Sequence, residues 1–193
     1  MKIAITKYSA LVVVDIQNDF CAENGALPVP GCRSIIENVN KYIEMFERAK
    51  RVIVASRDWH PPNHISFKMR GGPWPPHCVQ GSAGADFYPG LKLPDKAIII
   101  SKGTDPDAEA YSAFDKTELH YILSKLGVRR VFVCGVATEY CVRATVKDAL
   151  ELGYEVILLG DAIAGIGEES SREAIMEMIR SGAVLAEFKD LLT

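Results

Sequence analysis

One cysteine of this chain stands where a nucleophile would be expected. Cys141 follows an apolar, β-branched run at residues 130–134 that predicts a buried strand, and it comes just before residues 142–152, which predict a helix ending at Gly153. Unpaired backbone N–H groups and the helix dipole favour negative charge at such a strand-to-helix turn. We therefore expect a lowered thiol pKa at Cys141 and backbone N–H groups that can hold a developing oxyanion.

Three other predicted strands also carry ionisable residues at their carboxyl ends: Asp15, Asp58 with His60, and Lys102. The carboxyl ends of parallel strands lie at one edge of a sheet, and ligands of open α/β sheets bind there. We expect this edge to be an active site in which Asp15, Lys102 and Cys141 meet. A packed core thiol or a solvated lysine would explain one such residue, but not all of these positions together.

Asp58 and His60 are two residues apart, so in an extended segment both side chains point to the same side and can bind one metal ion. His77 follows, within a Pro- and Gly-rich stretch from 61 to 96 that shows little helix or strand pattern. Loops of that length are usually functional or disordered, and the aromatic residues in this one argue against disorder. Two imidazoles and a carboxylate suit a catalytic zinc and equally a non-haem iron(II) triad. For the Asp-x-His pair taken alone, polar loop residues with local hydrogen bonds are the simpler interpretation.

Length, composition and charge exclude several classes of protein. The 193 residues are 48% apolar with a formal net charge of −3, which predicts one globular domain over 1–193 and offers no basic surface for nucleic acid. No apolar stretch approaches the roughly 20 residues of a membrane span, and we recognise no signal pattern. The five cysteines are odd in number and lack C-x-x-C spacing, so we expect no disulfide framework and a cytoplasmic location.

The predicted elements alternate between strand and helix. Strands are predicted at 10–16, 51–56, 97–101, 130–134, 155–159 and 183–188, and helices at 34–50, 117–126, 142–152 and 169–180. Near-continuous apolar strands between helices predict an α/β fold, with a mainly parallel, doubly wound sheet of about six strands and helices on both faces. A long loop at about 58–96 would then bind metal and substrate beside the sheet edge.

Seven ordered pieces of the chain together resemble the isochorismatase-like cysteine hydrolase superfamily. They cover nearly the whole length and lie at residues 15–20, 25–29, 57–61, 74–81, 102–104, 111–114 and 135–145. The Asp-x-His and Trp-Pro-x-His-Cys pieces favour its metal-dependent nicotinamidase branch over the metal-free members. The resemblance implies the isochorismatase-like hydrolase fold and hydrolysis of nicotinamide to nicotinate and ammonia in NAD salvage, with pyrazinamide as a second substrate.

The resemblance also implies roles for individual residues. Its catalytic triad is matched by Asp15, Lys102 and Cys141, and its metal ligands are matched by Asp58, His60 and His77. Its substrate pocket is matched by Phe20, Trp74, Tyr111 and Val136. The bond between residues 136 and 137 matches a cis peptide bond that aims backbone N–H groups at the oxyanion. The implied cofactor is Zn²⁺, with Fe²⁺ or Mn²⁺ as alternatives, and the sequence leaves open whether His64 adds a fourth protein ligand.

We assign the chemistry as follows. Asp15 takes the proton of Cys141 and returns it to departing ammonia, while Lys102 stabilises the thiolate and holds the Asp15 carboxylate. The backbone N–H groups of Ala137 and Cys141 receive the oxyanion, and water then cleaves a nicotinoyl thioester. Two alternatives stay open: another isochorismatase-like amide or ester hydrolase with a different small substrate, and an iron protein in which Cys141 is incidental. The sequence also leaves open whether the chain forms a homo-oligomer.

Overall fold

The computed structural model describes residues 2–192 of the chain. This part contains eight strands and five α-helices. The strands are β1 Ile3–Ala4, β2 Ser9–Val14, β3 Val52–Asp58, β4 Ile98–Lys102, β5 Arg130–Val136, β6 Glu155–Ala164, β7 Val184–Ala186 and β8 Leu191–Leu192. The α-helices are α1 Asn18–Cys21, α2 Cys32–Arg48, α3 Leu119–Lys125, α4 Arg143–Glu151 and α5 Glu168–Arg180. Within residues 2–192, no helix combines the length and the hydrophobicity that a membrane span requires.

Six of the strands form one sheet in the order β4-β3-β2-β5-β6-β7, and every neighbouring pair in it is parallel. The predicted α/β class and the parallel, doubly wound sheet are therefore confirmed. Strands β1 and β8 form a separate two-stranded parallel pair that the sequence pattern did not indicate. Each of these two strands has only two residues, too few to show a periodicity.

The chain order of the sheet reverses at β2. From β2 the chain adds β3 and β4 on one side, and it then crosses to place β5 on the other side of β2. The register aligns the strand ends, because Val14 pairs with both Ser56 and Gly135, and Asp58 pairs with Lys102. The crevice of such a sheet opens at this reversal, beyond the carboxyl ends of the strands.

Both faces of the sheet are buried under helices. All six residues of β2 are buried, and its five apolar residues, 10–14, alternate between two hydrophobic cores. Leu11 and Val13 pack into the core that includes α2, whereas Val12 and Val14 pack into the core that includes α3, α4 and α5. Each Val or Leu buried in this way contributes roughly 1.5–3 kcal/mol of transfer free energy, so burial on both faces explains the uninterrupted apolar run.

Each predicted strand is present with shifted bounds, and two of them differ most from the prediction. The strand predicted at 155–159 continues as β6 to Ala164, because β6 pairs again with β5 after a register shift that joins Gly135 to Ile163. The strand predicted at 183–188 is shorter in the structure, where β7 spans only Val184–Ala186.

Gly135 has a φ of +114°, and a Cβ there would clash with the backbone of Val14. The close approach of β5 to β2 at the active-site edge therefore requires glycine.

One disulfide bond is present, although the sequence led us to expect no disulfide framework. Cys21, the last residue of α1, and Cys32, the first residue of α2, form a disulfide bond across a Gly- and Pro-containing loop. Backbone bonds fold this loop back on itself, for example from the Val29 N–H to the Phe20 carbonyl. The Cα atoms of Cys21 and Cys32 are consequently 5.1 Å apart, within the range that a disulfide spans. Cys78, Cys134 and Cys141 carry free thiols.

Candidate active site

The buried ammonium of Lys102 lies at the centre of the site. Lys102 is the last residue of β4, and its Nζ lies 2.8 Å from Asp15 Oδ2, 2.5 Å from Asp58 Oδ1 and 3.4 Å from Cys141 Sγ. Burial alone would lower the pKa of Lys102, but the carboxylates of Asp15 and Asp58 hold it well above its ordinary value. The structure therefore brings the three predicted triad residues together around a permanent positive charge.

Asp15 occupies a constrained position directly after β2. Its φ is +50°, in the left-handed region that few residues other than glycine adopt, and aspartate is among the side chains that tolerate it. The Asp15 N–H donates to the Ser56 carbonyl, and the Ser56 hydroxyl donates to Asp15 Oδ1 at 2.7 Å. Burial raises the pKa of Asp15 although the Lys102 ammonium opposes the shift. The sequence pattern gave no indication of Ser56, which aims this carboxylate.

Cys141 lies in a π-helical turn, Thr138–Val142, which includes the first residue of the helix predicted at 142–152. The Val142 N–H donates to the Ala137 carbonyl five residues earlier, and α4 begins only at Arg143. The Val136–Ala137 peptide bond is cis, as the resemblance implied. The assignment of the Ala137 and Cys141 N–H groups to an oxyanion hole stays a prediction.

The expected lowering of the Cys141 pKa is wrong for this arrangement. Burial raises the pKa of the Cys141 thiol well above its ordinary value, and the carboxylates of Asp15 and Asp58 raise it further, while only Lys102 opposes them. A thiolate beside two carboxylates would leave two negative charges uncompensated in a buried site. The thiol is therefore neutral at rest and requires a base at the moment of attack.

The predicted metal ligands also converge. The ligand atoms of Asp58, His60 and His77 lie within 4.8 Å of one another, and all three side chains are buried. Nε2 of His60 is 3.5 Å, and Nε2 of His77 3.9 Å, from Asp58 Oδ2. Nδ1 of His60 lies 2.9 Å from the Gly103 carbonyl, and Nδ1 of His77 lies 2.8 Å from the Pro75 carbonyl. Because each carbonyl needs a donor, Nδ1 carries a proton in both rings and Nε2 faces Asp58. When the Nε2 atoms are unprotonated, their two lone pairs and the carboxylate form a donor set that suits a divalent metal ion.

The ionisation of these ligands is set by burial and by each other. Burial acts to raise the pKa of Asp58, but Lys102 and His60 outweigh burial. The net result is a pKa well below its usual range. Burial lowers the pKa of His77 and favours the neutral imidazole. Burial also acts to lower the pKa of His60, but the hydrogen bond to Asp58 outweighs it and the net shift is upward. A metal ion would take the place of that proton on His60.

Backbone pairing within the long loop explains how His77 reaches His60. The His60 N–H donates to the Cys78 carbonyl and the Gln80 N–H donates to the His60 carbonyl, so the loop returns as a short parallel bridge beside the end of β3. Gly103 has a φ of +62°, and a Cβ there would collide with the His60 ring. Glycine directly after Lys102 is thus required for His60 to pack at this place.

Gln17 is a site residue that sequence reasoning did not identify. Its side chain is fully buried, its Nε2 donates to the Asp58 and Ala85 carbonyls at 2.8 and 2.9 Å, and its Oε1 accepts from the Asp58 N–H at 2.7 Å. The amide therefore grips both sides of the Asp58 backbone. A polar residue two positions after Asp15 was the available signal, but its partners are far away in sequence.

The remaining candidate ligands lie outside the metal group. Nδ1 of His64 lies 2.7 Å from Ser66 Oγ and its Nε2 lies 3.0 Å from the Ala108 carbonyl, so both ring nitrogens have protein partners. Its ring stacks on His60 with a centroid distance of 4.1 Å. Cys78 is buried, and burial raises the pKa of its thiol well above the ordinary value. The structure therefore places His64 beside the metal group without including it.

Aromatic side chains surround the metal group and the nucleophile. The Phe20 ring lies 5.7 Å from His77, and the Trp74 indole N–H donates to the Tyr111 hydroxyl at 3.0 Å. Tyr140, which sequence reasoning did not select, packs edge-on against Trp74 with centroids 5.1 Å apart. The predicted pocket residue Val136 is fully buried in the hydrophobic core that includes α2.

Known proteins are similar to this chain over most of its length. A family model described as "Isochorismatase domain" matches residues 9–190. The nicotinamidase of Escherichia coli (strain K12) is 39% identical over 204 residues, covering 94% of this chain and 95% of that protein. The crystal structure of the pyrazinamidase of Pyrococcus horikoshii in complex with zinc is 55% identical and has a TM-score of 0.91, over 94% of this chain and 99% of that one. PnC1 from L. infantum in complex with nicotinate is 38% identical, with a TM-score of 0.93 over 100% of this chain and 99% of that one.

The matched segment, 9–190, includes every strand of the six-stranded sheet and every residue of the site described above. The resemblance inferred from the motifs is therefore confirmed, and so is the fold that it implied. On the agreement of family model, sequence identity and fold, this chain belongs to the isochorismatase family.

Proposed function

We propose that this chain is a nicotinamidase, an amide hydrolase that converts nicotinamide to nicotinate and ammonia and also accepts pyrazinamide. One observation carries the proposal: Lys102 contacts Asp15, Cys141 and Asp58 at once, so that a thiol, a base and a metal-binding group lie side by side. The nicotinamidase and pyrazinamidase names of the compared relatives support the choice of substrate.

In the first half of the proposed reaction, Asp15 takes the thiol proton as Cys141 Sγ attacks the carboxamide carbon. The C–S bond forms, the carbonyl π electrons move to oxygen, and the N–H groups of Ala137 and Cys141 receive the oxyanion. Asp15 then donates its proton to the amide nitrogen, the C–N bond breaks and ammonia leaves. A nicotinoyl thioester on Cys141 remains.

In the second half, water cleaves the thioester. Asp15 takes one proton from the water as its oxygen adds to the carbonyl carbon, and the C–S bond then breaks to release nicotinic acid, which loses its proton to solvent as nicotinate. The proton on Asp15 returns to Cys141 Sγ and restores the neutral thiol. Lys102 keeps its charge throughout, because its pKa is held well above the ordinary value, and it balances the negative charge as this moves between Asp15 and the sulfur.

Asp58, His60 and His77 would hold a divalent cation, which we propose to be zinc. Their one carboxylate and two Nε2 lone pairs fit a site that keeps a position open, and the carbonyls of Gly103 and Pro75 orient the rings. Zinc bound there would supply a Lewis acid for the ring nitrogen of nicotinamide. Asp58 then serves both centres, since its Oδ2 faces the imidazoles while its Oδ1 holds Lys102.

The aromatic residues suit a flat heteroaromatic substrate. Trp74 and Tyr111 are joined by a hydrogen bond, and Tyr140 packs against both rings, so the three side chains support one another. Phe20 is fixed against His77 on the metal side. Aromatic faces held in this way offer stacking to a pyridine or pyrazine ring with little loss of conformational freedom.

The decisive measurement is ammonia release from nicotinamide and pyrazinamide by purified, zinc-loaded protein, with benzamide as the matched control. Benzamide has the same shape but lacks the ring nitrogen, so we expect turnover of the first two amides and poor turnover of benzamide. Ammonia release from a different carboxamide alone would favour another isochorismatase-like hydrolase. Oxygen consumption by iron-loaded protein without ammonia release would favour the iron alternative and contradict the proposal.

A further inference from the structure

Glu139 is a buried carboxylate that the mechanism above does not use. It lies in the π-helical turn two residues before Cys141, and only 7% of it is exposed. Its Oε1 accepts hydrogen bonds from the Ile166 N–H at 2.9 Å, the Gly167 N–H at 3.1 Å and the Ser170 hydroxyl at 3.0 Å. A carboxylate with three donors is strongly held, because charge-assisted hydrogen bonds are the stronger kind.

The donors all belong to the connection between β6 and α5 or to the first turn of α5. Gly167 is the N-cap residue of this 13-residue helix and offers no side chain, so the helix has no cap of its own. Glu139 supplies the missing acceptor from a distant part of the sequence, at the helix end where the dipole favours negative charge. The turn that carries the nucleophile is thereby joined to α5.

Glu139 is also placed between the two groups assigned to the oxyanion. Ala137 lies two residues before it and Cys141 two residues after it. The turn folds around the Ala137 carbonyl, which accepts from the N–H groups of Tyr140 and Val142 at 3.0 and 3.2 Å. An anchor at the middle of this turn fixes the directions of the main-chain N–H groups on both sides of it.

We propose that Glu139 is a positioning residue that holds the Ala137 and Cys141 N–H groups toward the developing oxyanion. It acts through the backbone of the turn and through α5, without contact with substrate. This inference rests on the proposed function, because the oxyanion forms only if Cys141 attacks a carboxamide. Donors that are out of place cost most in the transition state, where the oxygen is charged, and little in the bound substrate.

The test compares Glu139→Gln and Ser170→Ala with the control Glu169→Gln. Glu169 lies in the same first turn of α5 but is exposed, so its substitution removes a charge from the helix end without touching the nucleophile turn. For Glu139→Gln we expect kcat for nicotinamide to fall by about 10–100-fold with KM within about twofold. Alkylation of Cys141 by iodoacetamide should stay within about twofold, since that displacement forms no oxyanion. Ser170→Ala should show the same split with a loss of about 2–5-fold, and Glu169→Gln should match the wild type.

An unchanged kcat in Glu139→Gln would overturn the proposal, and so would a parallel loss of turnover and alkylation, which would indicate a displaced thiol or a loosened fold. If Glu139→Gln fails to fold by circular dichroism, Ser170→Ala decides by the same criteria. A wild type that releases no ammonia from nicotinamide would contradict the proposed function instead. The kcat comparison on the carboxamide that it does hydrolyse would then decide the role of Glu139.

Discussion

Lys102 Nζ lies 2.5 Å from Asp58 Oδ1, so one ammonium joins the metal-binding group to the nucleophile. The contact follows from the sheet, because Asp58 and Lys102 are register partners at the carboxyl ends of β3 and β4. The same Nζ reaches Asp15 and Cys141, whereas the second oxygen of Asp58 faces His60 and His77. A change of charge at either centre is therefore felt at the other.

Asp58→Asn should destabilise the metal-free protein at neutral pH. Although burial raises the pKa of Asp58, Lys102 and His60 outweigh it and hold the pKa below the ordinary 3.8. A carboxyl with a depressed folded-state pKa stabilises the fold above its unfolded pKa and loses that contribution as the pH falls through the folded value. Urea unfolding should show a lower free energy of unfolding for Asp58→Asn at pH 7, and the difference should shrink below pH 3.8.

Asp15→Asn is the matched comparison and should have the opposite sign. Burial raises the folded-state pKa of Asp15 above 3.8, so the ionised carboxylate costs free energy at neutral pH, and the neutral amide removes that cost. The free energy of unfolding should rise at pH 7, and this gain should disappear as the pH falls toward 3.8, although activity is lost. Equal destabilisation by both substitutions at pH 7 would contradict this assignment of the two carboxyls.

Cys141→Ala should lower kcat by roughly 10³–10⁶-fold, as loss of a covalent nucleophile does elsewhere. Cys134→Ala is the matched control, since Cys134 is a free, buried thiol in the core. Cys141 should also be alkylated before Cys78 and Cys134, because it is 5% exposed while the other two are fully buried. Mass spectrometry of limited alkylation measures the order. A faster reaction at Cys78 or Cys134, together with an active Cys141→Ala variant, would exclude the thioester mechanism.

Removing the metal should separate substrate placement from the nucleophile. Chelation, or His77→Ala, should abolish or strongly weaken nicotinamide turnover, because the ring nitrogen loses its anchor. Alkylation of Cys141 should persist, because the thiol contacts Lys102, which in turn contacts Asp15, and neither contact involves His60 or His77. Turnover is measured before and after addition of zinc. Full turnover by metal-free protein would make the ion structural and would weaken the case for nicotinamide over other amides.

Gln17→Ala should weaken metal affinity by about 10–100-fold, the usual effect of losing a group that orients a ligand. The amide of Gln17 bonds both the N–H and the carbonyl of Asp58, so its removal frees the backbone that carries the ligand. Competition with a zinc-sensitive dye measures the dissociation constant. Gln80→Ala is the control, because Gln80 bonds the neighbouring Trp59 carbonyl from an exposed position, and it should leave zinc affinity unchanged.

The disulfide can be counted directly. Unfolded protein kept without reductant should take up three alkyl groups, one on each free thiol, and reduced protein should take up five. Peptide mapping should find residues 21 and 32 in one linked fragment. Five labels without reductant would show that these two cysteines are free in solution.

Much of the site was predictable because its residues lie at strand ends. Parallel strands bring their carboxyl ends to one edge, so apolar runs followed by Asp15, Asp58, Lys102 and Cys141 were enough to predict that these side chains lie together. The pair at Asp58 and His60 was predictable from the period of an extended chain. These features depend on local pattern and on one general rule of sheet architecture.

The groups that sequence reasoning missed or misjudged act across long separations in the chain. Ser56 aims Asp15 from a strand 41 residues away, Gln17 grips Asp58 over the same distance, and the Glu139 carboxylate meets donors 27 and 28 residues later. No periodic spacing of residues along the sequence indicates such distant partners. Cys21 and Cys32 likewise meet only because a folded loop returns between two helices.

The raised pKa of Cys141 shows most clearly which properties follow from sequence and which depend on tertiary structure. The sequence by itself determined that a thiol follows a strand and comes just before a helix, and from this we expected a lowered pKa. Only the tertiary structure decided that the thiol is buried beside two carboxylates, with one ammonium to oppose them. Charge interactions and desolvation depend on three-dimensional distance and exposure, which neighbours in sequence do not set.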